Sequence, residues 1–245
     1  MRMVRSVSLG VLLALPWVTR VLAAQEFSIS PRRERVDTYR MAVGGSFNYG
    51  APVGAFHDYV AQGFGLDGFF RWNTDKRGIL SLRVDGGFLT YGNETKRVPL
   101  SSTIGGRILV DLTTSNNIFW MGVGPQITVP LPGVRPYVNA AAGFSYFFTE
   151  SSVKGSRSNE NLSSTNNYDD GTFAWSGGGG FLIPFKTRRA EVALDLGARY
   201  HGNGQVRYLR KGGIEDLPDG SVRLNTIQSE ANLVTYRIGI SVSIP

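Results

Sequence analysis

Val234-Thr-Tyr-Arg-Ile-Gly-Ile-Ser-Val-Ser-Ile244 decides how the rest of the chain is read. Val234, Tyr236, Ile238, Ile240, Val242 and Ile244 fall on one face, and Thr235, Arg237, Gly239, Ser241 and Ser243 on the other. A period of two belongs to a strand, not a helix. The same split recurs upstream. Tyr39, Met41, Val43, Phe47 and Tyr49 oppose Arg40, Ala42, Gly44, Ser46 and Asn48; Phe64, Leu66, Phe70 and Trp72 oppose Gly65, Asp67, Phe69 and Arg71. Leu82, Val84 and Phe88 alternate with Arg83, Asp85 and Gly87, Phe144, Tyr146 and Phe148 with Gly143 and Ser145, and Val192, Leu194 and Leu196 with Glu191, Asp195 and Gly197.

Length separates the classes. These segments run about 10 to 14 residues, whereas soluble strands centre on about 5 to 6. A strand tilted by about 45° needs roughly 9 to 11 residues to cross the hydrocarbon, and only a closed barrel satisfies every backbone group there. Tyr39, Tyr49, Trp72, Tyr91, Trp175 and Tyr236, at strand ends, suit aromatic girdles at the two interfaces. The competing class is a soluble sandwich or lipocalin-like barrel, whose large apolar residues would point inward.

A direct pass finds nine alternating segments, but bacterial barrels of this kind hold an even number. Short turns at Asn73 to Gly78, Pro130 to Val134 and Lys186 to Ala190 demand eight strands, roughly 39–49, 59–72, 79–91, 117–129, 135–148, 171–185, 190–201 and 232–244. Long connections then fall at the other end: Gly50 to Asp58, Gly92 to Asn117, Thr149 to Asp170 and His201 to Ala231. Ile104 to Leu112 becomes a β extension standing above the membrane. The expected fold is all-β, an eight-stranded antiparallel up-and-down transmembrane β-barrel.

Residues 1–23 read as a secretory signal peptide, with Arg2 and Arg5 before an apolar Ser8 to Val18 and small residues at Val21 and Ala23. Pro16 and Arg20 interrupt the stretch before it reaches the roughly 20 apolar residues of an anchor. Residues 24–38 form a periplasmic N-terminal segment and 39–245 the barrel, with both termini periplasmic and the barrel in a Gram-negative outer membrane. Composition narrows the function. With no cysteine and two histidines there is no disulfide framework, no thiolate chemistry and little from which to build a metal centre. The net charge of +7 is scattered, so nucleic-acid binding has no footprint. No cofactor is expected. Gly63-Phe-Gly65-Leu-Asp-Gly68 matches a nucleotide-binding fingerprint literally, yet Phe69 to Trp72 continue a strand where that fingerprint needs a helix. Gly177 to Gly180 also lies in a strand, where it lets large neighbours pack or the barrel bend.

Arg135-Pro-Tyr137 opening a strand, the run Gly143 to Phe148, and the whole series of eight long alternating strands behind an export signal resemble the small outer-membrane β-barrel proteins of the OmpA-like and OmpX-like type. The resemblance implies a monomer inserted by the barrel-assembly machinery, with outer-membrane lipids and lipopolysaccharide as its surroundings and no catalytic motif. It covers the whole mature chain, and no downstream peptidoglycan-binding domain is expected. One departure is the last strand, which in that family commonly ends in an aromatic residue and here ends Ile244-Pro245.

Arg40, Arg71, Arg83, Arg199 and Arg237 share the inward face with Asp67, Asp85, Glu191 and Asp195. An eight-stranded barrel is just wide enough for side chains to fill. Near-balanced charges in so narrow a space suit a paired plug rather than a pore lined by one sign. In the long connections, Arg207, Arg210 and Lys211 are candidate contacts for lipopolysaccharide phosphates. His57 and His201 fall near the outer rim, where a lipid-modifying enzyme would hold its base, but no serine motif accompanies either. The leading reading is a non-enzymatic structural barrel with polar outer loops; a small-solute channel and a lipid-modifying enzyme are the alternatives.

Overall fold

A computed structural model describes residues 39–99, 109–155, 161–186, 190–217, 219 and 221–244. The signal peptide and N-terminal segment read in 1–38, the turn at 187–189, and residues 104–108 of the expected extension lie outside the described residues. Among the described residues ten strands form: β1 (Met41–Pro52), β2 (Gly63–Asn73), β3 (Leu80–Pro99), β4 (Leu109–Thr128), β5 (Arg135–Gly155), β6 (Asn161–Lys186), β7 (Glu191–Asn203), β8 (Gln205–Asp216), β9 (Val222–Glu230) and β10 (Leu233–Ile244). Eight close an antiparallel barrel in the order β1-β10-β7-β6-β5-β4-β3-β2, and β8 and β9 form a separate hairpin. The ends meet directly. Met41 lies opposite Ile244 and Pro52 opposite Leu233, so the first and last strands seal the sheet and leave no edge along the barrel wall.

Alternation along each strand separates exterior from lumen. On β10 the even-numbered residues face out and Thr235, Arg237, Ser241 and Ser243 are buried. From Val234 to Ile244 the strand runs ten residue steps, about 33 Å, and a tilt of about 40° turns that into a rise of about 25 Å. That is the height of a hydrocarbon band. Ile238, Ile240, Leu66, Val123 and Phe144 stand exposed within it, an arrangement stable only where the surrounding solvent is itself apolar. The exterior is that of a membrane-spanning barrel. Near the upper rim Tyr49 stacks on Tyr236 with ring centroids 6.4 Å apart, Phe88 meets Phe148 at 6.0 Å and Trp175 meets Tyr200 at 5.3 Å. Trp72 and Phe185 are exposed at the opposite rim. Tyr91, expected in a girdle, is instead buried inside.

The short connections include Gly78 and Gly133, whose φ of 69° and 87° suit turns that side chains would strain. The other end departs from the expected loops. β3 and β4 remain paired from Gly92 opposite Asn116 to Pro99 opposite Leu109, so 92–99 and 109–116, read as loop apart from the extension at its end, are extended ladder. β5 and β6 likewise stay paired as far as Lys154 and Asn161, through the stretch read as a loop. β3 to β6 thus rise above the rim as a four-stranded wall, while β7, β10, β1 and β2 stop at it. Outside the membrane neither face of a strand has to be apolar, so the period-two hydrophobic signal fades although the strand continues. The connection His201 to Ala231 folds into the β8–β9 hairpin, and a short 3₁₀ turn at Gly54–Phe56 joins β1 to β2, which begins at Gly63 and not at residue 59.

Candidate functional site

Inside the barrel, charged side chains form two linked groups at mid-height. Asp85 accepts a hydrogen bond from Arg83 Nε at 2.8 Å and also pairs with Arg199. Arg83 reaches further, donating from Nη1 to Gln126 Oε1 at 3.0 Å and lying 3.8 Å over the Phe69 ring. In the second group Tyr137 donates its hydroxyl to Asp195 at 2.6 Å and accepts from Arg237, which lies 3.4 Å from Asp195 and 3.8 Å from Asp67. Ser46 donates to Asp67. Arg83, Asp85, Asp195, Arg199 and Arg237 are each 1 to 5% exposed. Three arginines face three aspartates, so the mid-height lumen is occupied by paired charge rather than by a column of one sign.

Arg71, Glu191 and Arg40 complete the inward list. Arg71 is buried directly across the ladder from Arg83. Glu191 lies at the turn end and takes a two-pronged contact from Arg135, with Nη2 to Oε2 at 3.0 Å. Arg40 does not join the lumen: it is exposed just below β1, and its carbonyl accepts the Asn73 N–H at 2.9 Å. One residue before the strand, the alternation that orients Ala42 and Ser46 no longer governs it.

Tyr137 is the participant that counting charges missed. Its parity was visible, because Tyr137, Asn139, Ala141 and Ser145 share the inward face of β5, opposite Val138 and Phe144. Glycine makes its position possible. A Cβ at Gly180 or Gly197 would lie 2.6 or 2.8 Å from the Tyr137 hydroxyl oxygen, so these two glycines leave the space the phenol occupies.

Above the charges the lumen turns apolar. His201 is buried there, its Nε2 3.1 Å from Thr235 Oγ1 and its ring edge-on to Trp120 at 5.2 Å, so it stands inside the barrel and not at the rim. Ser176 lies across the ladder from it. His57 is exposed beside the 3₁₀ turn. Higher still, Phe56 is the centre of an aromatic cluster, with ring centroids 5.1 Å from Tyr208, 5.5 Å from Tyr91 and 6.3 Å from Phe147. Edge-on contacts of this kind add to the burial itself.

The hairpin supplies the cluster's lid. Val206, Tyr208 and Leu209 are at most 1% exposed, and Tyr91 donates its hydroxyl to the Leu209 carbonyl at 3.0 Å. At the base of the hairpin the Asp170 carboxylate accepts the Arg207 N–H at 2.8 Å, and the Asn203 N–H donates to Asn232 Oδ1 at 2.8 Å. Burial raises the Tyr208 hydroxyl above its ordinary value, although the Ser229 contact opposes the shift.

The three cationic residues expected to contact phosphate, Arg207, Arg210 and Lys211, are not one patch. Arg207 lies in the regular part of β8 with its Nε on Gln228 at 3.1 Å, near the rim where Phe173 is exposed. Arg210 and Lys211 occupy the irregular stretch between Leu209 and Ile214, with Gly212 at φ 75°, beside a crevice that Glu94, Lys96 and Ser151 of the wall also line. Among the described residues no group of histidine and carboxylate side chains is placed to hold a metal ion.

No family model and no curated protein matches the chain. In outline it is similar to the solved structures of Neisserial surface protein A (14% identity over 83% of this chain and 97% of that one, TM-score 0.46) and of Ail, the attachment invasion locus protein of Yersinia pestis (10% identity, 83% and 97%, TM-score 0.41). A third is a major outer membrane protein from Thermus thermophilus (13% identity, 82% and 98%, TM-score 0.38). At such overlaps the likeness carries no weight of its own; the closed ladder and the apolar exterior establish the barrel.

Proposed function

We propose that this chain is a non-enzymatic structural protein of a Gram-negative outer membrane, exported with a cleaved signal peptide and holding both termini in the periplasm. The observation that carries the reading is the combination of an apolar exterior about 25 Å tall with a lumen filled along its length. The paired arginines and aspartates fill the middle, and the Phe56 cluster fills the loop end beneath the hairpin. A filled lumen supports a scaffold more than a small-solute channel. His201 is buried and bonded to Thr235, with Ser176 across the ladder and no carboxylate hydrogen-bonded to the imidazole among the described residues, which favours a structural role over acyl transfer or deacylation.

In this role the wall and hairpin face outward. Arg207, near the rim, and Arg210 and Lys211, higher on the hairpin, meet lipopolysaccharide phosphates, and the barrel acts as a monomer after delivery by the assembly machinery. Fractionation tests the reading. The protein should partition with the outer membrane and run as a heat-modifiable band when unboiled, without altering the mass of lipid A and without conductance in planar bilayers. Recovery in a soluble fraction would refute it; steady conductance would favour the channel instead.

A further inference from the structure

The four-stranded wall continues the lipid-facing side of the barrel upward, past register shifts at Thr90/Gly92 and Thr149/Glu150. On β4 the exposed Phe119 and Met121 lead, two residues at a time, to Ser115, Thr113 and Asp111; on β5 Phe144 and Phe148 lead to Glu150, Ser152 and Lys154. Cross-strand register aligns these positions. Thr95, Thr113, Ser152 and Ser164 form one row across all four strands, with Thr95 and Thr113 hydroxyls 3.0 Å apart. From Asn116 to Leu109 the wall adds about 23 Å of strand. Only half the circumference carries it.

Whatever molecule packs beside the belt of β3 to β6 therefore meets this face with the part that stands above the hydrocarbon. Charge decides which chemistry suits it. Arg97 is bonded to Asp111 at 3.0 Å, and Lys154 and Glu150 cancel, so the face carries no excess of cations for phosphate. Its rows instead present hydroxyls and amides, which act as both donors and acceptors. We propose that the outward face of the wall is a saccharide-contacting surface, lying against the oligosaccharide of glycolipids packed beside that half of the barrel. The inference rests on the outer-membrane reading above. It assigns the sugar contacts to the wall, apart from any phosphate contact at the hairpin.

The test uses the mature chain refolded into phosphatidylcholine nanodiscs doped with lipopolysaccharide, either with a complete core or truncated to its innermost sugars. Glycolipid retained by the protein after detergent washing is counted by mass spectrometry. The native chain should retain the complete-core form about tenfold better than the truncated one, and the variant T95V/T113V/S152A/S164A should lose that preference. A control on the inner face, T114V/S151A, should keep it. Equal retention of the two glycolipids by the native chain overturns the proposal, as does a four-site variant that folds and keeps the preference. A variant that reduces both forms equally also overturns it, because the contact would then be to phosphate or acyl chain. Maleimide labelling of Ile238→Cys in the same nanodiscs separates the two layers of inference. Labelling there would refute the bilayer reading itself, whereas an inert Ile238→Cys with no sugar preference refutes only the saccharide contact.

Discussion

Removing the Asp85 carboxylate should destabilise the barrel far more than removing an equally well-formed ion pair on the wall. Asp85 is the shared partner of Arg83 and Arg199, and all three side chains are 3 to 4% exposed. Asp85→Ala leaves two guanidinium groups in a closed lumen with one carboxylate fewer, and breaking a buried pair in this way costs about 3 to 5 kcal/mol. Asp111, bonded to Arg97 at 3.0 Å, is 30% exposed and its partner 61%, so water screens the loss and Asp111→Ala should cost no more than about 1 kcal/mol. Reversible urea unfolding in lipid vesicles, followed by tryptophan fluorescence, measures both. The two midpoints should separate by a difference equivalent to at least about 2 kcal/mol. Equal costs would mean that water reaches Asp85 as freely as it reaches the wall, and the filled lumen would be wrong.

Other perturbations test neighbouring parts of the structure. Ile238→Arg, on the exposed belt, should lower stability in vesicles by about 2 to 4 kcal/mol, whereas Val222→Arg on the hairpin should cost little; equal folding yields would contradict the belt. Tyr208→Ala removes the ring that closes the Phe56 cluster, so proteases should cut within 205–230 while the barrel stays heat-modifiable; a hairpin as resistant as the native one would refute its anchoring by the cluster. At Asp75 slight burial is outweighed by backbone N–H groups of Leu80, Ile79 and Arg77, which hold the carboxyl below the ordinary carboxylate value. Its contribution is thus present above about pH 4 and lost as pH falls through the depressed value, so Asp75→Asn should flatten the acid dependence of the unfolding midpoint below pH 4 and leave no such change if the turn bonds are unimportant.

Where the bilayer imposes a period of two, the architecture is legible in the residues alone. Val234 to Ile244 and Phe64 to Trp72 reveal both their strand character and their outward face, because a misplaced side chain there would be either charged in lipid or apolar in a filled lumen. Above the rim that constraint ends. Thr113, Ser115, Ser152 and Ser164 carry no hydrophobic alternation, so the wall reads as polar loop although it is continuous ladder. The Phe56 cluster was hidden for a different reason. Tyr91 at a strand end has the look of a girdle residue, and only the return of β8 across the mouth gives its hydroxyl a partner at Leu209. The lumen charges were partly legible, since parity identifies Asp85, Asp195, Arg199 and Arg237 as inward-facing, but which carboxylate meets which guanidinium depends on strand stagger. Tyr137 as the bridge between Asp195 and Arg237 depends on Gly180 and Gly197, whose lack of side chains has no meaning until the strands are side by side.

The orientation of the barrel in the membrane is tested most directly by cysteine labelling on intact cells, since the native chain has no thiol. Thr226→Cys on the exposed hairpin should react with an impermeant maleimide, Lys76→Cys in the short turn after β2 should react only after the outer membrane is opened, and Ile238→Cys should stay inert in both states. Reaction of Lys76→Cys on sealed cells, with Thr226→Cys protected, would contradict the account.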